Sequence, residues 1–72
     1  MYRIRDLQFS DKPYFAEGEV FKTKQEACDQ LISYHEIDCD MSQEQRLLNK
    51  GKIDECWEAL RDFEWELELI NN

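Results

Sequence analysis

The chain of 72 residues has little glycine, little proline and few basic side chains. Two glycines and one proline leave no Gly-rich turn that could build an oxyanion hole. No apolar run approaches the roughly 18–20 residues that cross a bilayer. Nine Lys and Arg against seventeen Asp and Glu provide no basic stripe for a polyanion. We therefore expect neither a membrane nor nucleic acid as a direct partner.

Paired cysteine motifs are also missing. Cys28, Cys39 and Cys56 are odd in number and have no CxxC spacing. The N-terminus does not show the basic and apolar segments of a secretory signal. This pattern predicts reduced thiols and a cytoplasmic location.

Acidic residues are concentrated towards the C-terminus. The net charge is −8, and residues 53–72 hold seven Asp and Glu against Arg61 alone. Three of these acids form what we term the carboxylate ladder: Glu64, Glu66 and Glu68, which alternate with Phe63, Trp65, Leu67 and Leu69. A period of two is typical of a half-buried strand. We therefore predict a strand over 63–70 with a row of carboxylates facing water.

The first half of the chain predicts two strands and a helix. Alternating residues indicate strands over about 2–8 and 14–21. Thr23 and Glu26 have the spacing of a capping box, which opens a helix that runs to about His35. Tyr34 is expected on the buried stripe of that helix, together with Ala27, Cys28, Leu31 and Ile32.

Two shorter helices are predicted next. Ser42 and Gln45 repeat the capping pattern, and the helix that they open should end before Gly51. The stripe from Ile53 to Leu60 is out of phase with the preceding one, which favours a break at Gly51 and a separate third helix.

The order of these elements predicts an α+β fold. We expect a single domain over 1–72 with topology ββαααβ, in which about three short helices cover one face of a three-stranded antiparallel or mixed sheet. Strand order 2-1-3 would place Arg3 and Arg5 between the acids of the two outer strands. Opposite charges on neighbouring strands stabilise a sheet, so we predict strand order 2-1-3.

No catalytic, cofactor or metal site is predicted. Cys28, His35 and Cys39 are residue types that zinc uses, but no fourth ligand or close Cys pair accompanies them. The same thiols and imidazole lack a third residue that would orient a nucleophile and base. Glu36, Asp38 and Asp40 lack the Gly and the Glu of a calcium loop, since Met41 and Leu47 occupy those positions. We interpret them as a solvated acidic loop.

The carboxylate ladder is the main functional candidate, and two interpretations of it remain open. It could serve solubility alone, or it could be part of an acidic face that binds a basic groove. The residues expected on that face are Glu64, Glu66, Glu68, Glu17, Glu19, Glu55, Glu58 and Asp62. Phe15 and Phe21 are expected to be partly exposed and to form an apolar contact surface. Trp57 and Trp65 are expected in the core.

The whole chain resembles small acidic accessory proteins of bacteriophages and prophages of Gram-positive bacteria. The likeness is one of size, charge and general pattern, and it is carried by residues 20–27, 31–35 and 63–66. It implies a bacterial host cell and a protein that binds and blocks a host protein, including nucleases of the CRISPR type. It implies no role for an individual residue.

Two functional hypotheses follow. The first is a non-enzymatic, inhibitor-type binding protein whose acidic face docks on a basic surface of a host protein, such as a nucleic-acid enzyme. The alternative is a self-associating structural protein, such as a homodimer, whose charge serves only solubility. Salt separates them, because association through charge weakens with ionic strength and apolar association does not.

Overall fold

Two strands and three α-helices make up the fold in the computed structural model, which describes residues 1–8 and 14–70. In chain order the elements are β1 (Tyr2–Asp6), α1 (Lys24–His35), α2 (Ser42–Asn49), α3 (Ile53–Leu60) and β2 (Trp65–Leu69). Short 3₁₀ turns span Phe15–Gly18 and Arg61–Phe63. The α+β class is as predicted.

The sheet joins the two ends of the chain. β1 and β2 are antiparallel, and Ile4 lies opposite Leu67, with both side chains on the side of the core. The next residues along each strand point to the other face, where Arg3 lies opposite Glu68 and Arg5 opposite Glu66. The pairing of these arginines with ladder residues is therefore confirmed for two of the three glutamates.

The predicted three-stranded sheet is wrong, and so is the ββαααβ topology. Within the described residues the sheet has two strands. Segment 14–21 lies beside β1 and meets it in isolated bridges at its two ends. Between those bridges Ala16, Glu17 and Gly18 have φ values of 51°, 58° and 87°. Three consecutive left-handed residues cannot continue an extended strand.

Packing explains why a turn replaces the strand. The turn brings the Phe15 ring to 5.5 Å from the Trp65 ring, and it buries Phe21, which is 5% exposed. Val20, the neighbour of Phe21 in the sequence, is 44% exposed. Burial of aromatic surface therefore outweighs the local alternation, which Gly18 had already weakened.

Helix α1 begins as predicted. The Thr23 hydroxyl accepts the backbone N–H of Glu26 at 3.1 Å. The returning bond of the capping box is shifted by one residue, because the Glu26 carboxylate accepts the N–H of Lys22 at 3.2 Å. Tyr34 is not buried as expected but 55% exposed, a difference that matters for the site below.

Helix α2 begins differently from the prediction. Ser42 lies inside the helix, and the acceptor at this end is Asp40, whose carboxylate bonds the Ser42 N–H at 3.0 Å. The helix ends before Gly51, as predicted, and Gly51 has a φ of 77°. The N–H groups of Gly51 and Lys52 bond the carbonyls of Leu48 and Leu47 at 3.0 and 2.9 Å, the bonds of a Schellman motif.

One hydrophobic core lies between the sheet and the helices. Its buried residues are Ile4, Phe21, Ala27, Cys28, Leu31, Ile32, Met41, Leu48, Cys56, Trp57, Leu60 and Trp65. The expectation that both tryptophans belong to the core is confirmed.

The left-handed turn yields a stability prediction. Ala16 is exposed and pays a steric penalty at positive φ that glycine avoids. We expect Ala16→Gly to raise the free energy of unfolding by roughly 0.5–1 kcal/mol after the greater freedom of glycine in the unfolded chain is deducted. Urea denaturation measures this change.

Ala27→Gly is the matched control. Ala27 is buried in α1, where glycine costs about 1 kcal/mol. If Ala16→Gly also lowered stability, the positive φ of Ala16 and the turn built on it would be contradicted.

Candidate functional site

On the outer face of the sheet, ion pairs within the chain neutralise part of the negative charge. The Arg3 guanidinium lies 2.6 Å from a Glu68 carboxylate oxygen, donates to the Tyr14 hydroxyl at 3.0 Å and lies 3.9 Å above the centre of the Tyr14 ring. The hydrogen bond from Arg3, reinforced by its charge, lowers the pKa of Glu68. Arg5 and Glu66 form a looser pair at 3.9 Å. Two ladder carboxylates are thus occupied within the chain.

The other predicted acidic residues are spread over several elements. Glu17 lies in the first 3₁₀ turn and Glu19 directly after it. Glu55 and Glu58 on α3 face Lys52 and Arg61, at 3.9 and 3.2 Å.

The last two acids lie near the start of β2. Asp62 belongs to the second 3₁₀ turn, and Glu64 has a left-handed backbone with a φ of 66°. Glu64 therefore precedes β2 and is not in line with Glu66 and Glu68. Asp62 and Glu64 line the same groove.

This groove, which we term the acidic groove, has a volume of about 380 Å³. It lies where the end of β1, the C-terminal end of α1 and the start of β2 meet. Its lining combines four ring side chains with four carboxylates: Tyr34, His35, Phe63 and Trp65, with Asp6, Asp38, Asp62 and Glu64, and it is completed by Gln8 and Cys39. The register of the two strands, together with the position of α1, brings these residues together from three separate parts of the chain.

The acidic groove is strongly negative. Within residues 1–8 and 14–70, no Lys or Arg side chain lines it, and none lies within 4.0 Å of its four carboxylates. Asp6 also accepts the backbone N–H of Gln8 at 2.9 Å. The C-terminal end of α1, which carries a partial negative charge, adds to the same potential. The groove is therefore suited to a cation.

One hydrogen bond fixes the relative positions of two ring side chains in the groove. The Trp65 indole N–H donates to Nε2 of His35 at 2.9 Å, and the imidazole lies against the Phe63 ring with centres 4.2 Å apart. Because Nε2 accepts, His35 must be neutral with its proton on Nδ1. Burial lowers the pKa of His35, against the opposing effect of Asp38. Tyr34 is the most exposed of these rings.

The cysteines separate into a buried pair and an exposed residue. Burial, followed by the neighbouring Cys56, raises the pKa of Cys28 to about 12, and burial also raises the pKa of Cys56. Cys39 is exposed and lines the groove with His35. The structure therefore does not bring Cys28, His35 and Cys39 together.

No three His, Cys, Asp or Glu side chains of the described residues form a group that could hold a metal ion. Absence of a metal stays a prediction. Two residues of the acidic loop have separate roles. Asp40 accepts a hydrogen bond from Ser42 at the start of α2, and its bonds with Ser42 lower its pKa. Asp38 lines the groove.

The predicted apolar contact surface is corrected in part. Phe15 is partly exposed as expected, but it packs edge-on against Tyr34 at 5.4 Å and against Trp65. Phe21 is in the core, because the turn before it reverses the direction of its side chain. Tyr34 is the exposed aromatic that sequence reasoning missed.

Asp6 and Asp38 were also missed as site residues. No local signal identifies them, since one ends a strand and the other follows a helix. Only the strand register together with the position of α1 places them beside Asp62 and Glu64.

No protein-family model, curated protein or solved structure matches this chain. None of the three helices described has the length and apolar character that crossing a membrane requires.

Burial of two thiols predicts selective modification. The thiolate is the reactive form, so Cys28 and Cys56 should be inert in the folded protein. We expect iodoacetamide to alkylate Cys39 rapidly under native conditions and all three cysteines in denaturant, as measured by mass spectrometry. Rapid alkylation of two or three cysteines in the native protein would contradict the described core.

The bond between Trp65 and His35 predicts a pH dependence of stability. The pKa of His35 is below its usual 6.5 in the folded protein. Between pH 6.5 and the lower pKa of the folded protein, His35 is therefore protonated in the unfolded chain and neutral in the folded chain. The free energy of unfolding falls as the pH falls through this window. We expect a lower urea midpoint at about pH 5.5 than at about pH 7.5.

Gln at position 35 can still accept a hydrogen bond but does not titrate. His35→Gln should therefore reduce the change in midpoint between these two pH values. An equal change in wild type and variant would show that His35 plays no part in it.

Proposed function

We propose that this protein is a non-enzymatic binding protein that docks an acidic surface on a basic surface of another protein. The observation that supports this most is the acidic groove, where four carboxylates face no Lys or Arg of the described residues. Such a concentration of charge is unfavourable in the free protein and is relieved when a cationic partner binds.

The distribution of ion pairs indicates which acids contribute most. Glu66, Glu68, Glu55 and Glu58 each lie within 4.0 Å of a basic side chain, so part of their field is cancelled within the chain. Asp62, Glu64, Glu17 and Glu19 have no such partner among the described residues, and of these four only Asp62 and Glu64 line the groove. Docking therefore depends more on the groove than on the ladder.

The resemblance to phage accessory proteins supports a more specific form of the proposal. The partner would be a bacterial host protein with a basic surface, such as a nucleic-acid enzyme, and binding would block that surface. The protein would act in the cytoplasm of the host cell, without contacting nucleic acid or a membrane itself.

Salt-dependent association tests this proposal. The immobilised protein is exposed to a bacterial lysate at about 50 mM salt, and retained proteins are eluted at about 500 mM and identified by mass spectrometry. The purified partner is then returned to the protein at both salt concentrations. We expect the association rate to fall by at least about tenfold from low to high salt, as for charge-steered complexes.

Two outcomes would contradict docking through charge. One is that no retained protein binds again after purification. The other is an association rate that does not change with salt.

Self-association is a second candidate, favoured by the open edge of β2. In the part of the chain that the structure describes, β2 pairs with β1 alone, and Leu69 is 60% exposed. An unpaired edge can accept a strand from a second copy. Sedimentation at increasing protein concentration tests this, and a dimer that survives high salt would favour it over docking on a basic partner.

A further inference from the structure

We propose that the acidic groove receives an arginine side chain of the basic partner. This inference rests on the proposed function and names the group that the partner inserts. Its basis is the combination of exposed ring surface with unpaired carboxylates in one concave site, rather than acidity alone.

Charge and shape both favour a guanidinium group. The groove, of about 380 Å³, is lined by four carboxylates and by no described cation. A guanidinium is planar, always charged and able to bond carboxylates through two parallel N–H groups while its face lies on an aromatic ring. A lysine ammonium has the charge but neither the plane nor the paired donors.

The exposed ring is Tyr34. It is 55% exposed, whereas Trp65 is buried and its N–H is already bonded to His35. Tyr34 is also held in place by T-shaped contacts with His35 at 5.2 Å, Phe15 at 5.4 Å and Trp65 at 6.1 Å. A ring held in place this way can accept a cation on its face at little entropic cost.

The same chemistry already exists elsewhere in this molecule. On the outer face of the sheet, Arg3 lies 3.9 Å above the Tyr14 ring and 2.6 Å from Glu68. There an arginine of the chain itself stacks on an aromatic ring and pairs with a carboxylate. In the groove, Tyr34, Asp38, Asp62 and Glu64 offer the same two kinds of group without an internal arginine among the described residues.

Three capped tripeptides test the inference on the wild-type protein: Gly-Arg-Gly, Gly-Lys-Gly and Gly-citrulline-Gly. Citrulline matches arginine in shape and lacks its charge, whereas lysine matches its charge and lacks its plane. We expect the arginine peptide to shift the NMR signals of the Trp65 indole and the Tyr34 ring in a saturable way and to slow alkylation of Cys39. Binding should be at least about threefold weaker for lysine and about tenfold weaker for citrulline.

Matched variants locate the site. Asp38→Asn, Asp62→Asn and Glu64→Gln together should weaken binding of the arginine peptide by at least about tenfold. The control, Asp54→Asn, Glu55→Gln and Glu58→Gln, removes the same charge from acids on α3 that already face Lys or Arg, and should weaken it by less than about threefold. Tyr34→Phe should bind like wild type, and Tyr34→Ala should not.

Equal binding of the arginine and citrulline peptides would overturn the inference, and so would an equal effect of the two triple variants. The outcomes also separate it from the proposed function. If a basic partner binds wild type and the groove variant equally, docking stands and the groove is not its site. If the arginine peptide binds the groove but no basic protein is retained, the groove site stands and the docking proposal fails.

Discussion

The register between β1 and β2 is the constraint on which the rest of this structure depends. It places Arg3 against Glu68 at 2.6 Å, with the Tyr14 ring stacked on the guanidinium. Tyr14 belongs to the segment that precedes α1, so this cluster ties three distant parts of the chain together. A shift of β1 by one residue would move Ile4 out of the core and turn Arg3 and Arg5 towards it.

The same register divides the acids near the sheet into two groups. On the outer face of the sheet, arginines of β1 compensate glutamates of β2. At the other end of the strands, the start of β2 brings Trp65 to His35 and leaves Asp62 and Glu64 beside Asp6 and Asp38. The surface with the most evident alternation is therefore the more neutral one, and the acids of the irregular turn before β2 are in no ion pair with a described residue.

The parts of the fold that depend on local chemistry could be predicted from the sequence. The Thr23 cap, the break at Gly51 and the period of β2 each follow from a few neighbouring residues. The turn at Ala16 could not be predicted, because burial of Phe21 and the contact of Phe15 with Trp65 outweigh a weak alternation. Asp6 and Asp38 join the groove only through tertiary contacts, so the sequence indicated an acidic surface but not its position.

A charge swap between Arg3 and Glu68 tests the register most directly. Thermal denaturation would compare wild type with Arg3→Glu, Glu68→Arg and the variant that carries both. Each single change places two like charges side by side on neighbouring strands, whereas the double change restores an attractive pair. The account predicts that the double variant melts at a higher temperature than either single variant. A double variant whose loss equals the sum of the two single losses would show that Arg3 and Glu68 are not paired, which would contradict the register and the division of charge that follows from it.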